Sequence, residues 1–185
     1  MIINSQKKSF GKGCKVSLFT LGTMRSTENL DKMYCIIKKA HFVGINHIET
    51  AASYGDAEIL IGNALKKLEE ADQISKNNWI ITSKILPKGD FNYVKNNFEN
   101  SLKNLKIKKI NNLAIHGINL KKHLDWVLVG EGKKFISWIL EKELVDQVGF
   151  SSHGSYSLIK EAINCEVFSF CSLHLHYLDQ SKITL

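Results

Sequence analysis

Gly44-Ile45-Asn46-His47-Ile48-Glu49-Thr50-Ala51-Ala52-Ser53-Tyr54-Gly55 is an apolar run that breaks into a polar turn, and it carries a carboxylate, Glu49, and a phenol, Tyr54. In a parallel α/β barrel the side chains at the carboxyl ends of the strands face the mouth, so a short strand ending in ionisable groups has the form of a catalytic strand. Two further runs repeat the pattern: Trp79-Ile80-Ile81-Thr82-Ser83 ends in Lys84, and Ile110-Asn111-Asn112-Leu113-Ala114-Ile115 ends in His116. Taken singly, Tyr54 reads equally well as a core residue with a satisfied hydroxyl and Lys84 as a surface charge. Their joint placement with Glu49 and His116 at strand ends makes these four the candidate catalytic set.

Working outward from that stretch, Lys7 to Phe19 reads as a hairpin turning at Gly11-Lys12-Gly13, and Thr20-Leu21-Gly22-Thr23-Met24 as the end of a first barrel strand. Ser26 or Thr27 is placed to cap a helix whose first turn holds Glu28 and Asp31, with Leu30, Met33, Tyr34, Ile37 and Ala40 as its buried stripe. Strand two is Ile45–Ile48. Asp56 then suits the N-cap of a helix burying Ile59, Leu60, Ala64, Leu65 and Leu68. Strand three leads to Lys84, and Pro87-Lys88-Gly89 breaks the chain before a helix marked by Phe91, Val94, Phe98, Leu102 and Leu105. After His116 a looser segment, Gly117 to Gly130, precedes a helix over Lys133–Glu141 and a strand Leu144–Phe150 ending in Ser151-Ser152. A helix over Gly154–Ile163 and a strand Val167–Leu173 complete six units. Strands alternating with helical patterns predict parallel β-α units.

These residues resemble the aldo-keto reductase family, whose signature is a strand followed by D-T-A-x-x-Y-G. The chain has Glu49-Thr50-Ala51-Ala52-Ser53-Tyr54-Gly55, and the resemblance, from about Phe19 to Tyr177, takes in Leu21-Gly22-Thr23, the strand ending in Lys84, Ala114-Ile115-His116 and Gly149-Phe150-Ser151-Ser152. Four strand endings in the right order are more specific than any one of them. The resemblance implies a (β/α)8 TIM barrel that moves hydride between NADP(H), or NAD(H), and a small-molecule carbonyl or alcohol. By that resemblance Tyr54 is the proton donor to the carbonyl oxygen, and Lys84 favours the phenol's ionised form. His116 orients the substrate oxygen and Glu49 pairs with Lys84. Gly22, Thr23, Ser151, Ser152 and Ser172 fall where the family touches the nicotinamide end of the cofactor. The physical need is plain, because a phenol titrating near 10 is a poor acid–base group at neutral pH without a neighbouring cation.

Three departures stand out. Glu49 replaces the usual Asp, as in members resembling cyanobacterial reductases with N-H-I-E-T here, and Ser152 stands where Asn is common. The third is length: six strand–helix units are visible, whereas a closed barrel has eight and about 250 residues. The expectation is a single incomplete barrel domain, with the hairpin at 7–19 and β-α units over 15–177, lacking the segments that grip the cofactor's pyrophosphate and adenosine. Whether a longer parent carries a further iron–sulfur region stays open. So does a second reading, a catalytically inactive remnant or scaffold that self-associates through open barrel edges.

Composition bounds the alternatives. With 185 residues and 44% hydrophobic content this is an ordinary globular chain, with no apolar stretch approaching the roughly 20 residues of a membrane span and no signal-peptide core. The expectation is a cytoplasmic protein, without a membrane partner. The net charge of +7 is spread over scattered lysine pairs such as Lys38-Lys39 and Lys108-Lys109, the pattern of a solvated outer face rather than a nucleic-acid surface. None of the four cysteines forms a C-x-x-C pair, and Cys165 and Cys171 read as buried thiols. His174 and His176 alternate on one strand face but lack a third ligand, so no metal site is expected.

Overall fold

The computed structural model describes residues 6–25 and 29–174. Its centre is a six-stranded, all-parallel sheet in the order β3 (Leu21–Gly22), β4 (His47–Glu49), β5 (Ile80–Ile85), β6 (Ile110–Ile115), β7 (Val145–Ser152) and β8 (Phe170–Leu173). Strand order follows chain order, as in a barrel wound one β-α unit at a time, and the sheet is a curled partial TIM barrel. The connecting helices are α1 (Leu30–Phe42), α2 (Ala57–Glu70), α3 (Phe91–Leu105), α4 (Lys121–Leu128), α5 (Glu131–Glu141) and α6 (Tyr156–Asn164). Their apolar stripes, among them Met33 and Ile37 of α1, Phe98 and Leu105 of α3 and Phe135 and Ile139 of α5, join Ile48, Leu113 and Phe150 of the strands in one buried cluster. At roughly 25 cal/mol per Å² of apolar surface, this shell is the main source of stability.

The hairpin β1 (Lys7–Phe10) and β2 (Cys14–Ser17) turns at the expected Gly11-Lys12-Gly13, with Gly11 at φ +59°. It lies against the amino-terminal end of the strands. Gln147 Nε2 donates to Phe10 O at 2.9 Å, and Lys12 N donates to Gln147 Oε1 at 2.8 Å. Asn46 ties in the other side, its Oδ1 accepting from Ser17 N at 2.7 Å.

Several boundaries differ from the sequence expectation for local reasons. Strand two is His47–Glu49, not Ile45–Ile48, because Ile45 N bonds back to Ala40 O and so completes the end of α1. Ser26 and Thr27 lie outside the described residues; Asn29 caps α1, its side chain accepting from Lys32 N. Asp56 does occupy the N-cap position of α2, but its side chain makes no capping bond. The buried face of α2 is rotated from the expected one: Ile59 is exposed, while Ile61 and Gly62 are buried. Gly62 explains the rotation, since a Cβ there would stand 2.2 Å from Asn104 O of α3, so only glycine permits this approach. The looser segment contains α4, a helix with just two buried positions, Leu124 and Val127, too few to show in the periodicity. The last strand begins at Phe170 rather than Val167, after Glu166 adopts φ +58° and Ser169 N reaches Val148 O. Cys171, on the outer strand β8, is exposed, and Cys165, at the carboxyl end of α6, is only half-buried, contrary to the reading of both as buried thiols.

Candidate active site

Period-two alternation sends every second side chain of the parallel strands to the concave side, and at the carboxyl ends of β4 and β5 this delivers Glu49 and Lys84. Strand pairing sets Glu49 opposite Thr82, so Lys84 stands one pleat further along. Its ammonium is 2.5 Å from Glu49 Oε1, donates to Thr50 O at 3.1 Å, and donates to the Tyr54 hydroxyl at 3.2 Å. Lys84 is 3% exposed and Glu49 28%, so the carboxylate faces the open end and the lysine lies beneath it. Tyr54 enters from the turn after β4, where Tyr54 N bonds to Ala51 O and Gly55 takes φ +54°. The ammonium also lies 4.8 Å from the centre of the Tyr54 ring.

His116 follows β6 and packs edge-on against Tyr54, with ring centroids 5.7 Å apart. Its Nδ1 is 3.2 Å from Ser53 Oγ. Burial first, and then the charge of Lys84, depress its pKa below the ordinary histidine value, so the ring is neutral at pH 7. When Ser53 donates to Nδ1 the ring proton is on Nε2, which has no protein partner among the described residues. The structure thus brings Glu49, Tyr54, Lys84 and His116 into one cluster.

The five residues matched to the nicotinamide end are distributed less evenly. Gly22 is exposed on β3, and a Cβ there would meet nothing within 4 Å. Thr23 is buried, its hydroxyl donating to Glu49 O at 3.0 Å. Ser151 Oγ accepts from Gly117 N at 3.0 Å, and Ser172 is half-buried beside Ser151 on β8. Ser152 is used internally in both directions, donating to Ile118 O at 2.6 Å and accepting from Gly154 N at 2.9 Å. Open space at Gly22 and the hydroxyl of Ser151 therefore fit a carboxamide-bearing ring, whereas Ser152 serves the β7–α6 turn.

A cleft of about 330 Å³ adjoins the cluster, with His116 and Ser151 in its wall. Two larger hollows, of about 440 and 620 Å³, lie elsewhere and touch none of the four residues; convergent ionisable groups, not size, mark the site. His174 is exposed with its ring centroid 6.4 Å from that of His153, and His176 lies outside the described residues. Among the described residues no three His, Cys, Asp or Glu side chains gather as metal ligands, and no helix is long and apolar enough to cross a membrane.

Sequence reasoning missed a second polar network beneath the cluster. His47 Nε2 is 2.7 Å from Thr82 Oγ1, which accepts from Asn112 Nδ2 at 3.0 Å, and Asn112 Oδ1 accepts from Gln147 Nε2 at 2.7 Å. His47 Nδ1 meets Thr20 Oγ1 at 2.9 Å, and burial pushes its pKa down to about 4. The available signal was the same alternation: His47 and Thr82 stand two positions before Glu49 and Lys84. Also unforeseen was Glu58 on α2, a buried carboxylate accepting from Ser83 Oγ at 2.6 Å, its pKa raised by burial.

Residues 19–182 match the Aldo/keto reductase family. The chain belongs to this family of oxidoreductases. Solved aldo-keto reductases share its fold. One is a putative aldo-keto reductase from Pseudomonas aeruginosa, with a TM-score of 0.80 at 20% identity, covering 98% of this chain and 74% of its own. Another, from Bacillus halodurans in its holo form, has a TM-score of 0.75 at 20% identity over 93% of this chain and 58% of that one. A Bombyx mori aldo-keto reductase in complex with NADP has a TM-score of 0.73 at 18% identity over 92% of this chain. The chain spans 58% of the length of that protein too.

Proposed function

We propose that this chain performs the proton-transfer half of carbonyl reduction or alcohol oxidation, with Tyr54 as general acid and base. The observation that carries the reading is the buried Lys84 ammonium, bonded at once to Glu49 and to the Tyr54 hydroxyl. A cation donating to a phenol oxygen favours the phenolate left after proton transfer, in a site where low dielectric strengthens the interaction. Glu49 and Thr50 O fix the ammonium so that it need not reorganise during the step. Glu in place of Asp still reaches Lys84, which accounts for tolerance of the longer side chain here.

In reduction, Tyr54 passes its proton to the carbonyl oxygen and keeps the electron pair of its O–H bond, while Lys84 holds the resulting phenolate. In oxidation the proton moves the other way. Neutral His116 positions the same oxygen through Nε2–H. A bound nicotinamide cofactor, NADP(H) by preference, would supply a hydride to the carbonyl carbon or accept one from the alcohol carbon. Gly22 and Ser151 would hold its nicotinamide end, with Thr23 buried behind them; no residue of the described chain is assigned to its pyrophosphate.

The test is twofold. Quenching or enhancement of nicotinamide fluorescence reports binding, and no change at millimolar cofactor would make activity by this chain alone untenable. With binding present, aldehyde-dependent oxidation of the reduced cofactor by the native chain and its absence in Tyr54→Phe are the expected results. Among the described residues β3 and β8 are the outermost strands, each paired on one side, and this favours a second reading, a scaffold that self-associates through them. A well-folded monomer by light scattering would remove it.

A further inference from the structure

The cleft beside the Tyr54–Lys84 pair has a one-sided charge. Lys88, His116, Asn119, His123 and His153 are among its lining residues, and none of the described residues that line it is acidic. Lys88 is the lysine of this lining, and unlike the paired lysines elsewhere it is not tied up by a carboxylate. Lys66, Lys76, Lys109, Lys121 and Lys134 each meet a carboxylate. Lys88 meets none among the described residues; its ammonium lies 5.7 Å from the centre of the Tyr93 ring. A cation held over an aromatic face and left without a counter-ion at the rim of a cavity is available to an anion. The other polar groups of the lining reinforce this, since amide and imidazole N–H groups donate. α4 also starts beside the cleft, between the lining residues Asn119 and His123, with no side chain capping its first amides, so its positive dipole end adds to the same field.

We infer that this cleft takes a carbonyl compound bearing a carboxylate, with Lys88 as the specificity-determining cation and His116 at the carbonyl end. The inference deepens the reductase reading and rests on it for the carbonyl, but not for the anion. A volume of about 330 Å³ is within the range of small-ligand sites and holds an aromatic or short aliphatic aldehyde with one charged group.

The experiment compares 4-formylbenzoate with benzaldehyde by calorimetric titration of the full chain, without cofactor and at low salt. The native chain is expected to bind 4-formylbenzoate about fivefold more tightly, matching the roughly 1 kcal/mol of a partly exposed ion pair. Lys88→Gln should abolish the preference, and Lys88→Glu should reverse it. Lys108→Gln, far from the cleft, should leave it intact, separating a local cation from the chain's overall positive charge. Equal affinities, a preference that survives in Lys88→Gln, one lost equally in Lys108→Gln, or no heat with either probe would each overturn the inference. Because nothing turns over in this titration, a chain that prefers the carboxylate yet shows no cofactor binding would sink the reductase reading alone. Turnover of both aldehydes with equal kcat/KM would sink this inference and leave that reading standing.

Discussion

Strands β4 and β5 each send two side chains into the concave side, and the two levels they form behave differently. At the lower level, His47 and Thr82 join Asn112 and Gln147 in a chain of hydrogen bonds that ends on the hairpin, so the bonding capacity is consumed inside the protein. At the upper level, Glu49 and Lys84 meet Tyr54 and His116, and capacity is left over: the Tyr54 hydroxyl and His116 Nε2 still have bonds to make. The same backbone, advanced by two residues, yields a structural seal in one case and chemistry in the other. Buried polar groups that are satisfied rigidify a fold, and those left unfinished at an accessible end are where a substrate can be bound.

Substitutions at the two levels should therefore separate activity from stability. The largest effect expected is on Tyr54→Phe, which removes the transferable proton and should lower kcat/KM by about 10²- to 10⁴-fold. Its urea midpoint should stay near that of the native chain, because the half-exposed hydroxyl bonds only to Lys84 among the described residues. A large fall in stability would erase the distinction between the levels.

Acid should break the lower level first. His47 is held at about 4 when folded and titrates near 6.5 when unfolded, so the folded chain binds fewer protons in that interval. Stability is then full above pH 6.5 and falls as pH drops toward 4, by about 3 kcal/mol in total. His116, also lowered, adds to the loss, whereas Glu58, raised by burial, opposes it. Denaturant midpoints between pH 7 and pH 4 for the native chain and His47→Gln isolate the imidazole, and identical pH slopes would contradict the assignment.

Asn112→Leu should cost about 2 kcal/mol, because it removes the amide that bridges Thr82 and Gln147 in a buried setting and costs each of them one bond. Thermal unfolding measures the cost, and nicotinamide binding should be unchanged in whatever fraction stays folded. The smallest effect belongs to Lys66→Ala, which removes an exposed ion pair to Glu70 one helical turn away. It should shift stability by no more than about 0.5 kcal/mol, setting the background against which both levels are judged.

The elements of the fold were legible where sequence pattern is local. Helix α3 was marked by apolar residues from Phe91 to Leu105, and β6 by the run from Ile110 to Ile115, and both bounds hold. The cluster of Glu49, Tyr54, Lys84 and His116 was legible because each stands at the end of a strand-like run, and parallel topology gathers such ends. What escaped depends on distant partners. Nothing near Asn112 announces that its amide will bridge Thr82 and Gln147, residues 30 and 35 positions away. The rotation of α2 escaped for the same reason, since Gly62 declares its role only when Asn104 of the neighbouring helix is beside it. Ser152 shows the limit of family matching, as its hydroxyl is committed to Ile118 and Gly154 by a turn the motif does not describe.

The anchoring of the hairpin by Gln147 sets an order on biosynthesis. Phe10 and Lys12 leave the ribosome early, yet the amide they grip lies 137 and 135 residues downstream. A two-stranded ribbon alone is barely stable in water, and until Gln147 is made this one has only its contacts with Asn46 and His47 to hold it. The Gln147 half of the seal can therefore close only once β7 has been synthesised, well after the Asn46 half is available.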